Sequence, residues 1–182
     1  MTPRARLSAD AGAPTGTPTP GAGNEPGTGR GGWGRYVAFV VAVVAVVALD
    51  QVVKALARDG LSTTSYVTLI PGVLGLQLVR NVGAAFGILG GHVGAFVVLA
   101  ALIVVACVVY LVRGPIRGPL MTASLALVCA GGIGNMVDRA ALGYVTDMFR
   151  TLFVDFPVFN VADCAIVVGV VLFVIATFRG TK

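Results

Sequence analysis

Gly131–Asp163, GGIGNMVDRAALGYVTDMFRTLFVDFPVFNVAD, is the stretch on which the reading of this chain turns. One apolar run enters it from Leu120 and another leaves it toward Phe178. Between them stand Asn135, Asp138, Arg139, Asp147, Arg150, Asp155, Asn160 and Asp163. The whole chain has eight acidic residues, and four of them lie here. A charged side chain at the centre of a membrane helix costs about 2.5–3.5 kcal/mol on insertion scales. Carboxylates concentrated at the ends of apolar runs therefore point to a use for them.

The surrounding composition sets the class. The chain has 182 residues, 57% hydrophobic and 12% charged, with a mean hydropathy of +0.92. Soluble domains carry about 25% charged residues, so this is an integral membrane protein with one membrane domain. Residues 1–34 contain nine Gly, five Pro and five Thr, with little that is apolar. Such a segment cannot bury enough surface to offset its ordering entropy and is expected to be a disordered cytoplasmic extension. Residues 35–182 form the membrane domain. A cleaved signal peptide would put a short apolar core near the start, whereas here a long polar segment precedes a span-length run. The net charge of +5 does not indicate nucleic acid. The basic residues are scattered and make no basic helix face.

A helix crosses the hydrocarbon core in about 20 residues. Tyr36–Ala57, Val93–Val112, Leu120–Val137 and Val158–Phe178 meet that length. The first is rich in valine, but in lipid the need to pair every backbone group overrides that preference. Between the first two, Ser65–Ile70 and Val73–Arg80 are β-prone stretches around the Pro71-Gly72 turn, which predicts a small sheet on the membrane surface. The fold class is membrane α-helical: four transmembrane helices with a small extracytoplasmic β-sheet cradle between helices 1 and 2. Four spans put both termini on one side. Arg4, Arg6, Arg30, Arg35, Arg113, Arg117, Arg179 and Lys182 share that side, against Lys54, Arg58, Arg80, Arg139 and Arg150 on the other. The positive-inside rule places both termini and the 113–118 turn in the cytoplasm. The aspartate-rich segments then face outward.

Asp50 and Lys54, four apart, share a helix face and can pair, either to hold the helix end or to support a site. Asn135, Asp138 and Arg139 fall at i, i+3 and i+4, again on one face. Asn81 offers a donor and an acceptor, and the small residues after it allow close backbone approach. The single His92 has no partner motif, so no Ser-His-Asp set exists; it reads as a loop or interface residue. Ser62 and Ser65 make only a weak Ser/Lys dyad with Lys54. No metal-ligand spacing and no CxxC occur, and Cys107, Cys129 and Cys164 sit in apolar runs. Neither a metal, a cofactor nor a disulfide framework is expected. Carboxylates remain. Two held close share a proton, one serving as base on a water and the other as acid toward a carbonyl. Their apparent pKa values belong to the pair. Asp138, beside Arg139, reads as an ion-pair partner held charged. Asp163, inside the fourth span, is the favoured functional carboxylate, with its partner open between Asp138 and Asp147.

Five motifs occur in order between the spans: Asp50-Gln-Val-Val-Lys54, Asn81-Val-Gly-Ala-Ala-Phe86, Gly134-Asn-Met-Val-Asp138-Arg139, Val145-Thr-Asp147-Met-Phe149 and Phe159-Asn160-Val-Ala-Asp163. Together, over residues 36–178, they resemble the lipoprotein signal peptidases (signal peptidase II). The resemblance implies a bacterial intramembrane aspartic endopeptidase with Asp147 and Asp163 as its catalytic pair. It implies that Asn81, Asn135, Arg139 and Asn160 line the site and hold the substrate backbone or the aspartates. Asp50, Lys54 and Asp138 are then supporting, with Asp138 the structural partner of Arg139. The implied substrate is a diacylglyceryl-modified prolipoprotein, cut just before its lipidated cysteine near the outer face of the bacterial cytoplasmic (inner) membrane, with membrane lipid around it. Cys164 stands where relatives often have serine and is expected to be neutral, pointing off the face of Asp163. The alternative is a small membrane transporter or proton-pathway protein, which predicts acids near the bilayer midplane and internal repeats. The sequence has neither. A purely structural subunit would leave five polar clusters at one level unexplained.

Overall fold

Four helices carry the apolar runs: α1 (Arg30–Gly60), α2 (Val93–Arg113), α3 (Pro119–Leu142) and α4 (Val161–Gly180). The structure is a computed structural model and describes residues 30–83 and 93–180. Each helix holds at least 20 residues suited to crossing a membrane, with windows of mean hydropathy from 1.7 to 3.1. That length and apolarity meet the bilayer requirement, and the chain is a multi-pass membrane protein. α1 begins at Arg30, earlier than the expected Tyr36, so residues 30–34 are helical where disorder was expected. The expectation for residues 1–29, the reading of His92 and the small residues 84–87 lie outside the described residues.

α3 is the central helix. In its apolar window 61% of residues are buried, against 11% in α1, 11% in α2 and 22% in α4, so the other three helices expose most of their surface to lipid. Small residues bring α4 onto α3. A Cβ on Gly131 would collide with the carbonyl oxygen of Ala162 and with Ile166 Cγ1. Such close approach is how membrane helices pack when apolar burial gives no advantage over lipid. One end of the bundle is filled by Phe39, Leu111, Met121, Leu125, Cys129 and Ala176, with Tyr110 and Phe173 packed edge to face nearby. The polar residues gather at the other end.

A three-stranded antiparallel sheet lies at that polar end, in the order β1 (Val67–Ile70), β2 (Leu74–Asn81), β3 (Val145–Thr151). The first two strands occupy the expected stretches. The third comes from between α3 and α4, so the sheet is not confined to the connection between the first two helices. Gly143 makes this possible. With φ 78° it ends α3 in the left-handed conformation, its N–H bonding to Arg139 O at 3.1 Å. Glycine adopts that geometry without steric cost, and β3 begins two residues later.

The register of β2 on β3 shifts by one residue. Leu76 pairs with Phe149, but Val79 pairs with Asp147 and Asn81 with Val145. Directly paired residues share a face, as do residues two apart, so the bulge puts Asn81 on the face of Asp147. Without it Arg80 would take that place, because a one-residue slip exchanges the faces of a strand.

The glycine contact gives a paired prediction. Gly131→Ala forces α4 off α3 and should destabilise by about 1–3 kcal/mol, the usual cost of overpacking. Gly132→Ala should be nearly neutral, since its Cβ would meet only Val104 Cγ2 at 3.5 Å. Thermal unfolding of the two purified variants in one detergent checks the contrast.

Candidate active site

The site is built outward from a buried ammonium. Lys54 Nζ lies 2.9 Å from Asp50 Oδ2 and 3.4 Å from Asp138 Oδ2, and donates to Asn135 Oδ1 at 2.9 Å. Lys54, Asp50 and Asp138 are each 1% exposed or less. Charges so deep persist only when paired and fully hydrogen-bonded, and here they are. Asp50 Oδ1 accepts the Ala162 N–H at 2.9 Å, and Asp138 Oδ2 accepts the Thr146 N–H at 2.8 Å. Gln51 Nε2 reaches Asp50, Gly134 O and Asp138. The expected Asp50–Lys54 pair is present and joins α1 to α3, α4 and β3.

Asp138 does not take Arg139 as its partner. It faces Lys54 and, at 3.9 Å, Arg58. Adjacent helix residues point about 100° apart and do not face each other. Arg139 turns the other way, donating to Gly83 O at 3.2 Å and Asn135 O at 3.4 Å, with its guanidinium 5.1 Å from the centre of the Phe96 ring.

Asn160 and Asp163 form the start of α4. Asn160 precedes the first helical residue, and its Oδ1 accepts the Asp163 N–H at 3.0 Å. Asp163 Oδ2 accepts the Asn160 N–H at 3.1 Å in return. This reciprocal pair is a capping box with Asn and Asp in place of the usual Ser/Thr and Glu. Together with Asp50 on the Ala162 N–H, it satisfies donors that a helix start leaves unpaired. A bridge between Phe149 and Phe159 holds the approach to Asn160 against β3.

Three asparagine amides then meet two carboxylates. Asn81 Nδ2 donates to Asp147 Oδ2 at 3.0 Å, and Asn160 Nδ2 donates to Asp147 Oδ1 at 2.6 Å. Asn135 Nδ2 donates to Asp163 Oδ1 at 2.8 Å. Asn135 cannot be turned over, because its Oδ1 receives both Lys54 and Asn160 Nδ2. Asn81 is fixed the same way by the Gly83 N–H on its Oδ1. Each amide oxygen faces a donor and each NH₂ faces an acceptor.

Asp147 and Asp163 border one cavity of about 530 Å³, with Asn81, Asn135 and Arg139 also on its wall. Phe156, Phe159, Ile166 and the outward-facing Val167 and Val168 make the rest largely apolar, so the cavity reaches the lipid-exposed side of α4. Burial is the main cause that pushes the Asp147 carboxyl up to about 6, and the charge of Asp163 adds to it. The Asn81 and Asn160 hydrogen bonds and Lys54 oppose the rise. Asp147 is therefore an acid that ionises near neutrality beside a second carboxylate, as a shared-proton pair requires. Cys164 also lines this cavity and is exposed, so it does not point away from the site as its neighbour's face suggested. Among the described residues no cluster of three or more His, Cys, Asp or Glu is arranged to hold a metal ion.

Residues 42–179 match the family model described as signal peptidase (SPase) II. The chain belongs to the signal peptidase II family. A lipoprotein signal peptidase of Streptococcus thermophilus (strain CNRZ 1066) is 41% identical over 145 residues, 80% of this chain and 95% of that protein. That of Streptococcus pyogenes serotype M5 (strain Manfredo) is 39% identical over 141 residues, 78% of this chain and 93% of that protein. A solved structure described as a bacterial membrane enzyme aligns with a TM-score of 0.74 at 33% identity, covering 80% of this chain and 90% of that one. A second aligns with a TM-score of 0.71, covering 77% and 92%. The family is one of peptidases, and the polar cluster is its one concentration of acid–base groups in this chain among the described residues.

Sequence reasoning missed three participants in this candidate site. Gln51 is a polar residue in a valine-rich span, and that anomaly could have marked it. Arg58 stands four after Lys54 on the same face, donating to Thr146 Oγ1 at 3.0 Å. The Thr146 backbone N–H carries no side-chain signal at all.

Lys54→Met removes the only ammonium from two buried carboxylates and should cost about 3–5 kcal/mol, the scale for breaking a buried pair. Adding Asp138→Asn should recover part of the loss. Thermal unfolding of both variants in detergent reads the difference.

Proposed function

We propose that this chain is an intramembrane aspartic endopeptidase that removes signal peptides from diacylglyceryl-modified prolipoproteins. The observation that carries the reading is the convergence of Asp147 and Asp163 on one cavity, both fully engaged by asparagine and backbone donors. The charge count supports it. Asp50, Asp138, Asp147 and Asp163 stand near Lys54, Arg58 and Arg139. Four carboxylates beside three cations balance when one proton is retained, and burial raises the affinity of Asp147 for a proton.

In this mechanism one aspartate of the pair, ionised, takes a proton from a water. The water oxygen attacks the scissile carbonyl carbon, and the protonated aspartate gives its proton to the carbonyl oxygen. The tetrahedral intermediate collapses as a proton passes to the leaving nitrogen and the C–N bond breaks. The products are a signal peptide with a new carboxylate and a lipidated cysteine with a free α-amine. Arg139 and the three asparagines keep the pair aligned and water-poor, which strengthens each hydrogen bond.

Substrate chemistry fits the surroundings. The apolar wall of α4 gives the lipid and the apolar signal segment a path to the aspartates. A larger cleft of about 860 Å³ shares Asn81, Asp147, Phe156, Pro157 and Val158 with the first and continues over the sheet. An extended chain lying across Asp147 would leave the membrane through it, with the sheet as a cradle. The distribution of basic residues supports cytoplasmic termini and an active site near the outer face.

Asp147→Asn and Asp163→Asn should each lower cleavage of a fluorogenic lipopeptide by at least 10²–10⁴-fold while the protein still inserts. Asp138→Asn should lower protein yield or substrate binding and leave measurable turnover. Substantial turnover by Asp147→Asn with a dead Asp138→Asn would reassign the pair.

The pH profile follows from the same pair. The proton on Asp147 leaves near pH 6. Cleavage efficiency should therefore fall as pH rises through that value. Asn81→Ala removes a hydrogen bond that favours the ionised carboxylate, so it should move this limb to higher pH while lowering the rate. A limb that stays in place in kcat/KM profiles would remove Asp147 from the titrating pair.

A further inference from the structure

At the end of the bundle away from the aspartates, α1 and α3 run side by side and leave a cleft of about 780 Å³. Its walls are made of small apolar residues, chiefly Ala38, Ala42, Ala123 and Ala126. Its rim carries Arg35, Tyr36 and Arg117, and no acidic residue lines it among the described residues. Arg35 is held in place: it donates to Tyr36 Oη at 2.6 Å, and its guanidinium lies 4.6 Å from the Tyr36 ring centre. Its Nε is buried with no hydrogen-bond partner among the described residues. Buried donors are almost always satisfied, and an exception calls for an acceptor.

The start of α3 opens on the same cleft. Gly118, before the first helical turn, has no side-chain oxygen to cap it, and Pro119 supplies no N–H. Both residues line the cleft. The positive end of the α3 dipole therefore adds to the two arginines. Below the rim the apolar walls continue. From Pro119 to Ala126 a helix rises about 10 Å, so the slot is deep enough for the upper part of an acyl chain.

An occupant must match both halves, an anion at the rim and a hydrocarbon chain below it. A free anion would leave the alanine walls unmatched. A zwitterionic headgroup would bring its own cation beside the arginines. Basic pockets between membrane helices suit anionic lipid headgroups, and a guanidinium fork matches phosphate geometry. We propose that this cleft binds one anionic phospholipid, its phosphate between Arg35 and Arg117 and one acyl chain along Ala38, Ala42, Ala123 and Ala126. The site is separate from the aspartate pair, and the inference stands whether or not the peptidase reading holds.

The test uses the full chain purified in detergent and reads thermal unfolding, not cleavage. Phosphatidylglycerol, phosphatidylcholine and inorganic phosphate are titrated in turn, each shift taken from that protein's own lipid-free baseline. Saturating phosphatidylglycerol should raise the apparent Tm by about 5–10 °C. Phosphatidylcholine should give less than a third of that and inorganic phosphate no shift. Arg35→Gln with Arg117→Gln should weaken phosphatidylglycerol at least tenfold. Ala123→Phe, which keeps both arginines and fills the slot, should do the same. Equal shifts with the two lipids would overturn the proposal, as would undiminished phosphatidylglycerol affinity in both variants. A full shift with inorganic phosphate alone would reduce the cleft to an anion site and overturn it too.

Discussion

Lys54 is the constraint on which the rest depends. An ammonium with no exposure, inside a helix apolar enough to span a membrane, must have acceptors at once or be expelled. Its acceptors come from α1 itself and from three positions on α3: Asp50, Gly134 O, Asn135 and Asp138. The second oxygen of Asp50 accepts from the start of α4, and the Asp138 oxygen that faces Lys54 also accepts from the backbone of β3. One buried charge thereby fixes the relative position of four elements. This explains why a chain whose helices otherwise pack through alanine, glycine and valine has a single well-defined polar end.

The sheet supplies the second half of the alignment. Its strands are short and much of β1 is exposed, so its contribution is geometric. β3 alternates in the ordinary way: Thr146 turns to Arg58 and Asp138 while Asp147 turns to Asn81 and Asn160. Alternation alone would not bring Asn81 to Asp147. The one-residue bulge between Leu76 and Val79 does so, and it keeps the cation of Arg80 off that face. Arg80 instead lies against the Tyr144 ring. An arginine in the place of Asn81 would hold Asp147 ionised and remove the proton that the proposed chemistry needs. Bulges that re-aim a side chain next to a site are a known use of this irregularity.

Much of this was legible in the sequence, for physical reasons that can be named. Four spans follow from hydropathy and length, and the Asp50–Lys54 pair from helical spacing. β1 and β2 follow from a proline-glycine turn between β-branched runs. β3 was not foreseen, because Val145–Thr151 lies between conspicuous aspartates and its β-branched residues drew less notice than its charge. The partner of Asp138 was misassigned because sequence adjacency was taken for spatial adjacency, which a helix denies at i, i+1. The choice between Asp138 and Asp147 could not be made from residue types, since it depends on which carboxylate borders the cavity of Asp163: Asp147 does, while Asp138 faces Lys54. Resemblance to a family named the pair, and it stands as a proposal supported by the cavity the two aspartates share.

The two aspartates of the cavity come from unlike elements, and that difference has a mechanical consequence. Asp163 belongs to the first turn of a membrane helix and is tied to it by its own capping box, so it moves only if α4 moves. Asp147 belongs to a strand of a surface sheet and is held from two sides, by Asn81 on the neighbouring strand and by Asn160 at the start of α4. Asn160 thus donates to both carboxylates, its backbone N–H to Asp163 Oδ2 and its side-chain amide to Asp147 Oδ1. It also donates to Asn135 Oδ1, which Lys54 holds from the far side. The chain Lys54–Asn135–Asn160–Asp147 runs from the buried ammonium to the carboxyl that titrates near neutrality. A displacement of the sheet on the membrane surface would reach the pair through Asn160, and a displacement of α1 against α3 would reach it through Asn135. Both routes end at hydrogen bonds that favour the ionised form of Asp147, so slackening either one raises its affinity for the shared proton.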